Sequence, residues 1–327
     1  MSKSRTKLLL ENFFIYGLGS CISKIIPLIM LPVITSIMTD SKYYGINDMV
    51  NLVISFAGAI AIMGMYDAMF RMFFEKDDED FKKNICSTAL FFVIVSSVVT
   101  CLILMLLKAK IMMIVISNTN YNYLFLIIVL NVFFSGILSI VSAPTRMENK
   151  RKIFILTNTI TPILLYGVSM PMLLKGEFIY ALPLAALIST ILMSLVFYIM
   201  NRKWFFIKFI SFKYLKDMLK IGIPLMPTFI MFWLCSSMDR MMIKSIMGLE
   251  SLGIYSVASK IAQISQLIYT AVAMGWQYFA FSTMNDEDQV ELITKVIDYL
   301  LGVSVFLTIL VATFSSTIFD LLAKGNY

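Results

Sequence analysis

Histidine is absent from the 327 residues. That excludes imidazole acid–base chemistry and His-ligated metals. The four cysteines, Cys21, Cys86, Cys101 and Cys235, stand singly inside apolar runs, with no CxxC or other metal spacing. They read as small membrane hydrophobes. Charge is scarce: Asp, Glu, Lys and Arg make up 14% of the chain, against about 25% in an ordinary soluble domain. No secretory signal stands out, because the first apolar segment runs well past a signal-peptide core and no small-residue cleavage site follows it.

What is present is apolar. Hydrophobic residues make up 59% of the chain and the mean hydropathy is +0.86. Runs long enough to cross a bilayer, about 20 residues each, recur along its length. The expected class is an all-α polytopic membrane protein. Nine spans are expected, at roughly 12–38, 44–73, 85–107, 121–143, 153–174, 178–200, 219–238, 252–283 and 291–322. "EKDDEDFKKN" (75–84), "TRMENKRK" (145–152) and "NRKWFFIKFISFKYLKD" (201–217) punctuate them, and "IMMIVIS" (111–117) is too short to cross. With alternating topology, most Lys and Arg fall in loops on the N-terminal side, which predicts a cytoplasmic N-terminus. The formal charge of +7 is thus a topology signal and gives no reason to expect nucleic acid as a partner. The 201–217 linker interleaves lysines with aromatics, as suits a segment lying on an anionic leaflet.

A weak internal repeat is visible. "YYGINDMVNLV" (43–53) opens the second span and "SLGIYSVASKI" (251–261) the eighth. Each follows a Pro-containing span, with Pro27 and Pro32 in the first case and Pro224 and Pro227 in the second. Repeats of this kind are frequent in transporters, with the substrate site between the halves. The predicted organisation is a six-helix lobe over 1–200, a cytoplasmic amphipathic linker over 201–218, and a partial lobe of three helices over 219–327. The chain ends at "LLAKGNY", directly after the ninth span, so a truncated second lobe is expected.

Two lysines lie deep in apolar runs. Lys24 is 13 residues from Glu11 and 16 from Asp40, about 20 Å from either charge along a helix. A cation at that depth costs about 2.5–3.5 kcal/mol on insertion scales. Its side chain is too short to snorkel that far, which points to a hydrated cavity; Tyr16 shares its face. Lys260 sits beside Ser256, Ser259 and Gln263, and either lines the same cavity or joins helices by hydrogen bonds. Asn47, Asn51 and Ser55, each four apart, form a second polar stripe flanked by Asp48. Asp67 and Arg71 have intrahelical ion-pair spacing and read as a structural pair or a gate. Asp239 and Arg240 read as a loop feature ending the seventh span. Two deep lysines without a deep carboxylate of equal standing favour an anion, and phosphate suits such a point charge.

Four segments carry a family resemblance: "NFFIYGLGSCISKIIPLIMLPVITSIMTDSKYYGINDMV" (12–50), "GMYDAMFRMFF" (64–74), "KIGIPLMPTFIMFWLCSSMDRMMI" (220–243) and "LGIYSVASKIAQI" (252–264). Their order and spacing resemble the polysaccharide (lipid-linked oligosaccharide, O-antigen) flippases of the multidrug/oligosaccharidyl-lipid/polysaccharide exporter superfamily. The resemblance implies a two-lobe bundle around a cavity that opens alternately to either face, in the inner membrane of a bacterium. It implies an oligosaccharide cargo carried on undecaprenyl diphosphate, with Lys24 and Lys260 facing the diphosphate. Membrane lipids, a polysaccharide polymerase and glycosyltransferases would be partners; no cofactor is implied. Two other readings stay open. A cation-coupled multidrug exporter would need a cavity carboxylate, for which Asp48 and Asp67 are candidates. A membrane glycosyltransferase or ligase would need larger outer loops than these.

Overall fold

The computed structural model describes residues 25–148, 150–262 and 289–314, and among them every regular element is helical. These are α1 (Ile25–Ile37), α2 (Lys42–Ile62), α3 (Met65–Phe73), α4 (Glu79–Leu106), α5 (Lys108–Ile116), α6 (Asn122–Met147), α7 (Arg151–Leu174), α8 (Phe178–Asn201), α9 (Phe212–Ala262) and α10 (Gln289–Thr313). Among the described residues, six helices are long and apolar enough to cross a membrane. The chain separates into two compact units. One holds Asp40–Lys150 and Leu164–Ile254; the other holds Met1–Thr39, Arg151–Ile163 and Tyr255–Tyr327.

In the first of these units α6 is the hub, packing on α2, α3, α4 and α8. A buried core joins Met65, Met69, Ile85, Val93, Ile140, Met193 and Met218. Polar side chains then join helices where water is excluded. Asn131 of α6 donates to the Pro183 carbonyl of α8 at 3.3 Å, and Asn201 donates to Val141 O and Thr145 Oγ1, both at 2.8 Å. Helix α4 starts earlier than its apolar run. Asp78 caps it by accepting from the Phe81 N–H at 3.0 Å, and Glu79 and Asp80 occupy the first turn, where carboxylates oppose the helix dipole.

Three expected boundaries move. The 44–73 span is two helices, because Met63 (φ 49°) and Gly64 (φ 66°) take left-handed conformations and break it. The seventh span does not stop at Asp239 and Arg240. Helix α9 carries on through them, and the non-helical residue inside it is Gly248 (φ 88°, ψ −178°). That conformation is essentially open to glycine alone. The pair does not end the helix, and the Arg240 charge is met by Asp48 of α2, as described below. Finally, the 201–217 linker forms two short 3₁₀ turns, 202–204 and 207–209, and its last residues from Phe212 onward already belong to α9. Ser87 of α4 pins it, donating to Trp204 O at 3.1 Å and accepting from the Phe206 N–H at 3.0 Å. Trp204 and Phe205 are therefore buried, while Ile207 and Phe212 stay exposed.

The second unit is described over 25–39, 151–163, 255–262 and 289–314. In α1, Thr35 Oγ1 donates to Pro32 O at 3.3 Å, and Leu31, Ile34 and, just after the helix, Met38 are buried. In α7, Thr157, Thr159 and Thr161 each return their hydroxyl to a carbonyl one turn back.

Candidate functional site: a cavity between two helices

Helix α2 touches α9 at two places where a side chain on the glycine would not fit. At the start of α2, a Cβ on Gly45 would lie 2.3 Å from Leu249 O, and one on Gly253 would lie 1.9 Å from Ser41 O. Both distances are far inside van der Waals contact, so the backbones meet directly. Ser41 Oγ also donates to Glu250 O at 3.1 Å. The contact is reciprocal: the steps from 41 to 249 and from 45 to 253 are both 208 residues. Each half of the contact is therefore the other repeated, as in an isologous interface. At the far end of α2, a Cβ on Gly64 would lie 2.5 Å from Gly222 O, and one on Gly222 would lie 2.6 Å from Met63 O. The left-handed break at 63–64 brings these backbones together.

Between the two contacts, side chains hold the same helices apart around a cavity of about 570 Å³. Asp48, Asn51 and Ser55 of α2, Tyr66 and Asp67 of α3, and Trp233, Ser236, Ser237 and Arg240 of α9 supply its polar wall, with Phe229 and Phe232 among its apolar residues. The stripe on α2 recurs at three- to four-residue spacing because one helix face repeats every 3.6 residues. Positions 229, 232–233, 236–237 and 240 give α9 a matching face.

Three contacts cross or back the cavity. Arg240 Nε lies 2.9 Å from Asp48 Oδ2, with both side chains largely buried (16% and 14% exposed). The Nε–H nevertheless has no acceptor in line, so this is an ion pair without a well-aligned hydrogen bond. Arg240 Nη1 also donates to Ser236 O at 2.5 Å, and the Arg240 N–H to Asp239 Oδ1 at 2.8 Å. Trp233 Nε1 donates to Ser55 Oγ at 3.1 Å, and its ring packs on Phe56, centroids 4.5 Å apart. Arg146 of α6 supports the wall from behind, donating to Tyr66 Oη at 2.7 Å. At the C-terminal end of α6, Glu148 forms ion pairs with Lys150 and Lys203. Burial alone would raise the Glu148 carboxyl, but these lysines outweigh burial and hold it below its ordinary range.

The residues expected to form the site divide as follows. Asn51 lines the cavity, together with Asp48, Ser55 and Asp67. Asn47 is half-buried on α2 and is not on the lining. Lys260 is an exposed residue of the other unit. Tyr16, Lys24 and Gln263 lie outside the described residues. Asp67 and Arg71 make no ion pair. Asp67 faces the cavity, whereas Arg71 is exposed in the last turn of α3. The cation of the described lining is Arg240, which had read as a loop residue. Its signal was present in "WLCSSMDR" (233–240), a Trp, two Ser and an Arg on one helix face.

The family description Polysaccharide biosynthesis protein matches residues 23–323. The chain belongs to that family, within the multidrug/oligosaccharidyl-lipid/polysaccharide exporter superfamily. Among solved structures it is similar to the MATE multidrug transporter DinF-BH. The TM-score is 0.63 at 15% identity, over 96% of this chain and 75% of that one. That similarity carries the fold alone: an all-helical bundle of MATE type. No curated protein matches the chain in sequence.

Proposed function

We propose that this family member exports an oligosaccharide linked to undecaprenyl diphosphate, from the inner to the outer leaflet of a bacterial cytoplasmic membrane, by alternating access. The observation that supports it is the cavity. Its 570 Å³ lies within the about 300–1,000 Å³ typical of small-ligand sites, enough for a diphosphate and adjoining sugar, and a half-buried arginine stands on its wall. The glycine contacts are the closures that part in turn, since backbone packing and, at the 41–253 contact, one Ser41–Glu250 hydrogen bond hold them together. On the sequence argument alone, Lys24, Lys260, Asn47, Gln263 and Tyr16 are further cargo-binding candidates, the N-terminus is cytoplasmic by charge bias, and the lobes divide as six helices and three. Polymerase and glycosyltransferases of the same polymer are the expected partners.

The test is genetic and chemical. Arg240→Gln should abolish surface polymer and leave the lipid-linked oligosaccharide accumulated on the inner leaflet. Normal polymer with Arg240→Gln overturns the reading.

A second reading has its own observation. The described lining carries two carboxylates, Asp48 and Asp67, against one guanidinium, and a carboxylate in the cavity is what an exporter of cationic drugs needs. Efflux of a cationic dye that depends on Asp67 and leaves polymer unaffected would favour it.

A further inference from the structure

We propose that Arg240 is an anion-binding group of this cavity and that Asp48 is its internal competitor, so that a phosphate of the cargo and the Asp48 carboxylate occupy the guanidinium in turn. The inference rests on the exporter reading above and adds to it a mechanism of loading and release.

Three observations lead here. First, the two charges stand on different helices, Asp48 on α2 and Arg240 on α9, and their pairing at 2.9 Å bridges the wall of the cavity. Second, the pairing is imperfect. A guanidinium offers five N–H donors in a rigid fork suited to two oxygens at once. Here Nε is within ion-pair distance of one carboxylate oxygen, yet its N–H has no acceptor in line. A buried pair offsets its desolvation only with good geometry, so this one leaves Arg240 open to a better partner. A phosphate can take the fork with two oxygens. Third, Asp48 lies one turn beyond Gly45, beside the contact with Leu249 and Gly253. Parting that contact carries α2 from α9 and withdraws Asp48 from Arg240. Opening this end and freeing the guanidinium are then one motion.

The exchange also provides release. A phosphate on Arg240 faces a displaced Asp48 carboxylate of like charge, so closing the 41–45 contact drives Asp48 back and expels the anion. Binding of either anion weakens the other by the same factor, as linkage requires.

The test uses inorganic pyrophosphate as probe, with purified full-length protein in detergent and calorimetric titration. Asp48→Asn removes the competitor and should tighten pyrophosphate binding by about tenfold, within the usual range of coupling between sites. Arg240→Gln should lose binding, and Arg240→Lys should retain part of it. Gel filtration checks that each variant is folded. A second measurement needs no variant. Carbodiimide modification of Asp48 in the unaltered protein, mapped by mass spectrometry, should increase when pyrophosphate is added. Undetectable pyrophosphate binding, unchanged or weaker binding by Asp48→Asn, or unchanged or reduced Asp48 modification overturns the exchange. The cargo reading fails separately. If surface polymer ignores Arg240 while pyrophosphate still competes with Asp48, the exchange stands and the oligosaccharide cargo falls. If polymer needs Arg240 and Asp48→Asn does not tighten binding, the reverse holds.

Discussion

Helices α2 and α9 meet in two ways. At 41–45 with 249–253, and at 63–64 with 222, glycine lets backbone touch backbone. Between these points the same helices carry Asp48, Asn51, Ser55, Trp233, Ser236 and Arg240, and enclose a cavity. The Cβ atom decides which of the two occurs. Where it is missing the helices close; where it carries a polar side chain they stand apart around the cavity. A helix pair built this way can seal and hold cargo along one seam, which a uniformly packed pair cannot.

The largest expected effect comes from filling a closure. Gly253→Val places a Cβ where Ser41 O lies 1.9 Å away. It should destabilise by more than the about 1–3 kcal/mol of ordinary overpacking, read as a fall in melting temperature in detergent. Gly167→Ala is the control: nothing lies within 4 Å of its Cβ, and helix propensity favours alanine by up to about 1 kcal/mol. Equal melting of the two variants would dissolve the contrast between closure and open helix surface.

The cavity wall should respond less. Asp48→Asn or Arg240→Gln alone breaks the ion pair and leaves one of its two charges, whereas the double variant removes both. A double-mutant cycle should give a coupling of about 0.5–3 kcal/mol. A coupling near zero would mean that the 2.9 Å pair does not join the helices.

The smallest effect lies outside the membrane, at Glu148. Its folded carboxyl is held below the ordinary 4.5 by Lys150 and Lys203, against burial. A depressed carboxyl contributes stability above its unfolded range, and loses it as pH falls through the folded value. Lys203→Met should therefore destabilise at neutral pH, and the difference from the unaltered protein should shrink as pH falls below about 4.5 and vanish once the folded carboxyl is protonated as well. A difference undiminished in acid would assign Lys203 another role, such as its stacking over Trp204.

Much of the fold was legible because length and hydropathy alone define spanning helices. The repeat at 43–53 and 251–261 was legible through Gly45 and Gly253, each of which proves to sit against the other segment's backbone. Helix ends inside the membrane were harder. A charged pair such as Asp239–Arg240 reads as a boundary unless its partner is known, and Asp48, on a helix far earlier in the chain, cannot be inferred by periodicity. The break at Met63 was hidden for a different reason: a left-handed methionine has no signature beyond the glycine that follows it. The site's α2 face was read from Asn51 and Ser55, while the α9 face was lost with the misplaced helix end.

The most direct test of the account is to lock the closure. Ser41→Cys with Glu250→Cys, in a background lacking the four native cysteines, joins the residues linked by the 3.1 Å Ser41–Glu250 hydrogen bond. Oxidation to the disulfide should stop surface polymer export, and reduction should restore it. Export that continues with the disulfide formed would contradict the claim that this contact must part for cargo to pass.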